Sequence, residues 1–139
     1  MIAEVTNNLV TKIKSVAAFG GRVAATLGGT EADPTLVNIA TPSAWVLFQS
    51  SQNSDKPAQK WQVMRLNFSV VLFLQYGEGE TDFVDTQLKL IDDVSQAVRG
   101  KTSSDSQQAI WEVNGFELVN VEPNRMTYQM SFSTEVAYK

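Results

Sequence analysis

Residues 61–76 read WQVMRLNFSVVLFLQY, and no other stretch restricts the fold so tightly. Met64, Leu66, Phe68, Val70, Leu72, Leu74 and Tyr76 keep strict period two, which puts them on one side of a β-strand. Arg65, Asn67 and Ser69 take the other side, which turns apolar at Val71 and Phe73. One face is therefore buried throughout, while the other passes from wet to dry. At ~3.3 Å per residue such a run extends about 50 Å, well beyond the usual strand of about five or six residues. That length predicts either a bend at a bulge or an end projecting as an arm.

The helices come from a different period. Ile2, Val5, Leu9, Ile13 and Val16 step by three and four, one apolar face of a helix of about four turns. Phe19-Gly20-Gly21 stops it. Val84, Leu88, Ile91, Val94 and Val98 form a second stripe, with Thr81 or Asp82 as cap and Arg99-Gly100 at its end. Arg22 to Leu27 admits a short strand, weakened by its alanines, and Gly28 to Ser43 reads as loop. Ala44–Gln49, Trp111–Val121 and Met126–Tyr138 read as strands, the last two joined at Glu122-Pro123-Asn124-Arg125. The order is helix, strands, helix, strands, without βαβ alternation. The fold class this predicts is α+β: an antiparallel β-sheet with two α-helices packed on one face, a single domain over residues 1–139.

Composition narrows the function. The chain has no cysteine, so thiol chemistry, disulfides and thiolate metal sites are excluded. It has no histidine, the residue on which most acid–base catalysis near neutral pH and most transition-metal ligation depend. An enzyme built from this chain would need carboxylates, a tuned lysine or carboxylate-bound Mg²⁺, so the expectation of catalysis falls sharply. From Glu78 to Arg99 there are six acids and two bases, while the remaining nine acids and nine bases cancel. No basic stripe for gripping duplex DNA is present. No apolar run is longer than Val70 to Leu74, which is strand-sized, so no membrane partner is expected. The opening MIAEVTNNLVTKIKSV has spaced apolar residues and carries Glu4, unlike a signal peptide, which sets an intracellular location as the expectation.

Few residues suggest chemistry. Asp92-Asp93, with Asp82 and Asp85 upstream, is the most tempting carboxylate pair. Helical spacing places Asp85, Lys89, Asp92, Gln96 and Arg99 on one stripe opposite the apolar one, where Asp85 precedes Lys89 by four. A solvated, ion-paired face explains them, and a subunit contact is the next reading. GGRVAATLGG carries no nucleotide-binding fingerprint. Trp45, Trp61 and Trp111 suit packing in a core or interface. One feature stands apart: the polar stretch QSSQNSDKPAQK, Gln49–Lys60, longer than a hairpin loop needs. Residues 50–60 are either a surface loop or an arm ordered against a neighbour, with Gln52, Asn53, Asp55, Lys56 and Lys60 as candidate contacts.

The layout resembles the tail terminator proteins of long-tailed bacteriophages, particularly the small tail-protein family of Mu-like phages and prophages. The MIAEVTNNLVTKIKSV helix carries the likeness, followed by PSAWVLFQ entering a strand, a long loop and LNFSVVLFLQY. LIDDVSQAVRG on the second helix and the closing GFELVNVEPNRMTYQMSFSTEVAY complete it. The resemblance implies a virion structural protein, with no catalysis and no cofactor, that assembles as a homo-oligomeric ring, typically a hexamer, in the host bacterial cytoplasm. Such a ring sits at the head-proximal end of the tail, stops growth of the tube protein and offers a surface to head-completion or neck proteins. DNA passes through its bore without specific binding, and a contractile sheath is a further partner it admits. An acidic balance suits a conduit that DNA must leave. The alternatives are a head–tail connector ring, a small enzyme using Asp92 and Asp93, and a monomeric adaptor.

Overall fold

The computed structural model describes residues 1–26, 41–53, 62–76, 83–104 and 109–138. The long alternating run becomes a strand because every second residue has a core to enter. We label the strands β1 (Val23–Thr26), β2 (Ser43–Asn53), β3 (Gln62–Gln75), β4 (Glu112–Glu122) and β5 (Arg125–Tyr138), and the helices α1 (Ile2–Lys14) and α2 (Lys89–Val98). The strands form one sheet in the order β1-β2-β3-β5-β4.

β3 is bonded to β5 from Gln62 opposite Tyr138 to Gln75 opposite Arg125, fourteen residues against fourteen. It therefore has neither a bulge towards β5 nor an unpaired end. The irregularity falls in β2, where Gln49 is the extra residue between the pairs Phe48–Phe68 and Ser50–Asn67.

One expectation needs correction: the sheet is mixed. β1 runs parallel to β2, with Val23 to Thr26 opposite Ala44 to Leu47. A parallel neighbour needs a connection of a dozen or more residues to bring the chain back to the same end, and residues 27–42 supply that length. All other pairs are antiparallel.

Both helices cover the face that bears Leu66, Phe68, Val70, Leu72 and Leu74, all buried in one cluster with Val5, Leu9, Ile13, Leu90, Ile91, Val94 and Val98. Each such side chain contributes roughly 1.5–3 kcal/mol on leaving water. α1 ends at Lys14, short of Val16, and a single 3₁₀ turn follows over Ala17–Phe19. That turn drives Phe19 fully into the core, and Gly20 then takes a φ of 56°, a conformation glycine adopts without penalty. Ile2, the first member of the α1 stripe, stays 37% exposed.

The second stripe also departs from its expected phase. Val84–Leu88 forms a wide π-helical turn ahead of α2. The wider turn carries an extra residue and rotates the positions before it. Val84 is consequently 63% exposed, while Phe83 enters the core edge-on to Tyr76 with ring centroids 5.2 Å apart. The expected cap at Thr81 or Asp82 lies outside the described residues.

Trp111 is the hub between the sheet and α1. It is 1% exposed, sits edge-on to Phe68 (5.3 Å) and Phe132 (6.5 Å), and donates from Nε1 to Asn8 Oδ1 at 3.0 Å. Beside it, Ser103 and Thr134 share a buried hydroxyl pair, and Thr134 donates to the Ile110 carbonyl. These bonds satisfy polar groups that burial would otherwise penalise. At the other end of β5, the Pro123-Asn124 turn is closed by Arg125, whose Nη2 donates to both Glu122 carboxylate oxygens at 3.0 and 2.8 Å. Among the described residues no helix is long and apolar enough to cross a membrane.

Candidate functional site

The sheet face away from the helices is wet at one end and dry at the other, as the β3 sequence predicts. At the wet end Arg65 donates to Ser133 Oγ (3.1 Å) and pairs with Glu112 (3.6 Å). Asn67 donates to Ser50 Oγ, Gln129 to Ser69 Oγ and Asn114 to Ser133 Oγ. These polar groups satisfy one another and need no other chain to do so. At the dry end Trp45 stacks edge-on to the fully buried Phe73, whose ring lies under the Arg125 guanidinium at 5.6 Å.

The polar stretch proves to be partly strand. Ser50 to Asn53 pair with Asn67 to Met64, so β2 runs four residues past its anticipated end. A row of short polar residues without branching still makes ladder hydrogen bonds when a long partner strand is already in place. Gln52 is exposed opposite Arg65, and Asn53 accepts from Gln62 Nε2 at 2.6 Å. Asp55, Lys56 and Lys60 lie outside the described residues.

Asp85, Lys89, Asp92, Gln96 and Arg99 are all exposed, and Asp93 is half-buried. Neither Lys89 nor Arg99 forms an ion pair with a described residue, which corrects the expectation of a paired face. The π turn over Val84–Leu88 contains Asp85 and ends just before Lys89, which breaks the regular four-residue spacing on which such a pair depends. Among the described residues no group of three acidic side chains converges as a metal site would require. Changing Asp92 and Asp93 together to asparagine is expected to alter stability by no more than about 0.5 kcal/mol. Thermal unfolding of the double variant checks this, and a larger loss would reveal a structural role the geometry does not show.

The surface that stands out is one the sequence reading did not single out. β4 is the outermost strand on its side of the sheet, eleven residues long. Phe116, Leu118, Val119 and Val121 along it are 58%, 46%, 52% and 54% exposed. Phe116 lies opposite the buried Met130, Leu118 opposite Tyr128 and Val121 opposite Met126, so these three occupy the helix-bearing face at a margin the helices leave open. Asn114 and Val119 are the extra residues of two bulges, leaving Gly115 to Leu118 as an unbroken paired segment between them. Gly115 takes a φ of 154° beside the first bulge. Long apolar edge strands attract other strands unless something covers them. One signal in the sequence marks this strand: in FELVNV, Phe116 and Leu118 alternate, but Val119 and Val121 switch parity, as a bulge demands.

No protein-family model matches the chain, and no curated protein sequence does either. A solved structure of the virion of a native gene transfer agent (GTA) particle contains a chain with the same fold. The two superpose with a TM-score of 0.59 at 12% sequence identity, over 94% of this chain and 92% of that one. At that identity the likeness is one of fold: the arrangement of sheet and helices described here also occurs, nearly end to end, in a chain of that virion.

Proposed function

We propose that this chain is a structural protein of a phage-type virion, and that its copies join into a ring that terminates the tail tube. The observation that carries this reading is the fold shared along nearly the whole chain with a component of a gene transfer agent virion. The tail layout implied by the sequence resemblance, and the absence of histidine and cysteine from the composition, point the same way. In this reading the tube protein and a neck protein meet opposite faces of the ring, DNA crosses its bore, and residues 50–60 and the exposed charged face of α2 are further contact surfaces. Electron microscopy of the purified protein, alone and mixed with tail tubes, tests it. Closed rings and tubes of fixed length with one blunt capped end are expected. A protein that stays at 15.3 kDa across concentrations and leaves tubes growing would sink the proposal.

A further inference from the structure

The five strands share a level. Val23, Ala44, Leu72, Tyr128 and Leu118 are successive cross-strand partners, and so are Ala25, Val46, Val70, Met130 and Phe116. Between them lies the row Ala24, Trp45, Val71, Gln129 and Glu117, and beyond them the row from Thr26 to Gly115. The four residues of β1 therefore stand at the same height as Gly115–Leu118, the segment of β4 free of bulges, at opposite edges of one sheet. β1 and β4 also run in opposite directions, because β1 is parallel to β2 and the three remaining pairings are each antiparallel.

We propose that copies of this chain join head to tail through these edges, β4 of one copy pairing antiparallel with β1 of the next, Phe116 opposite Ala25 and Leu118 opposite Val23. The inference rests on the reading that the protein assembles with itself. Size and charge support it. Ala25 is exposed and small, which leaves room for the Phe116 side chain on the face that α1 covers in the neighbour, where Leu118 would border the buried Val23. Glu117 then faces Ala24, and Arg22, two residues earlier, lies one diagonal step away, a distance long side chains bridge. The Arg22 guanidinium is exposed, held through Nε by the Pro42 carbonyl at 2.9 Å, and no described carboxylate pairs with it. Glu117 is exposed and likewise makes no ion pair with a described residue. Self-pairing of β4 is disfavoured: centred on Glu117, it would set Glu117 against its copy and Glu112 against Glu122. A contact between two different edges is also the kind that closes into a ring when the rotation allows.

The absence of native cysteine makes the test direct. The variant Ala24→Cys/Glu117→Cys should cross-link under mild oxidation into dimers and a ladder of higher species, resolved on a non-reducing gel. Within one chain the two positions are four strand spacings apart, roughly 19 Å at ~4.8 Å each, beyond the reach of a disulfide. Each single variant should give no ladder. Separately, Arg22→Glu and Glu117→Arg should each weaken assembly at least tenfold by light scattering at graded concentrations, and the combined exchange should restore it. A wild-type chain that assembles while the double-cysteine variant stays uncross-linked overturns this edge contact and leaves the ring reading standing. A wild-type chain that never assembles removes both.

Discussion

Replacing Trp111 by alanine is expected to cost about 3–5 kcal/mol, the range for emptying a buried aromatic site. For a domain of this size that corresponds to a melting temperature roughly 10–20 °C lower. Two effects combine here. The indole fills the space between Phe68 and Phe132, and it ties Asn8 of α1 to the start of β4 through a 3.0 Å hydrogen bond. Trp111→Phe separates them, because it keeps an aromatic ring and removes the donor, at an expected cost of about 1–2 kcal/mol. Calorimetry at one fixed, dilute concentration is the measurement, since assembly would otherwise raise apparent stability by mass action. A loss below about 1 kcal/mol for the alanine variant would mean that Trp111 does not occupy the core position described here.

Trp111 also marks how far the sequence carries. Strands 62–75, 112–122 and 125–138 were legible because apolar alternation and the Pro123-Asn124 turn leave little freedom. The α1 stripe was legible for the same reason, since Val5, Leu9 and Ile13 recur at helical spacing and are all buried. Other features turned on events that periodicity does not encode. Val84 fits the α2 stripe, yet the π turn swings it out and brings in Phe83. Ser50–Asn53 look like loop by composition, but β3 offers them a ladder at no further cost in ordering its own backbone. The parallel β1 rests on four residues whose direction only the length of the following connection hints at. The candidate surface was the least legible. Phe116 and Leu118 read as ordinary strand residues, and their exposure depends on which strand lies outermost and where the helices stop, both properties of the assembled fold.

The double variant Phe116→Ser/Leu118→Ser should leave the isolated chain nearly as stable as the parent, within about 1 kcal/mol, because both side chains are about half exposed before any partner arrives. Assembly should respond differently. If each side chain loses its remaining water contact against a neighbour, it contributes roughly 1–2 kcal/mol to that contact, so pairwise affinity falls about 30- to 1,000-fold. In a closed ring every copy makes the contact twice, and the loss compounds around the circle until rings vanish at concentrations where the parent forms them. Paired measurements, thermal unfolding of the dilute chain and mass by light scattering over a concentration series, separate the two quantities. Rings that persist at the parent's threshold would show that the apolar margin of β4 is not where copies meet. A large drop in melting temperature would instead place Phe116 and Leu118 in the core of the single chain, contrary to their exposure. The distinction matters because a core defect and an interface defect both abolish rings, and only the second leaves a folded monomer behind.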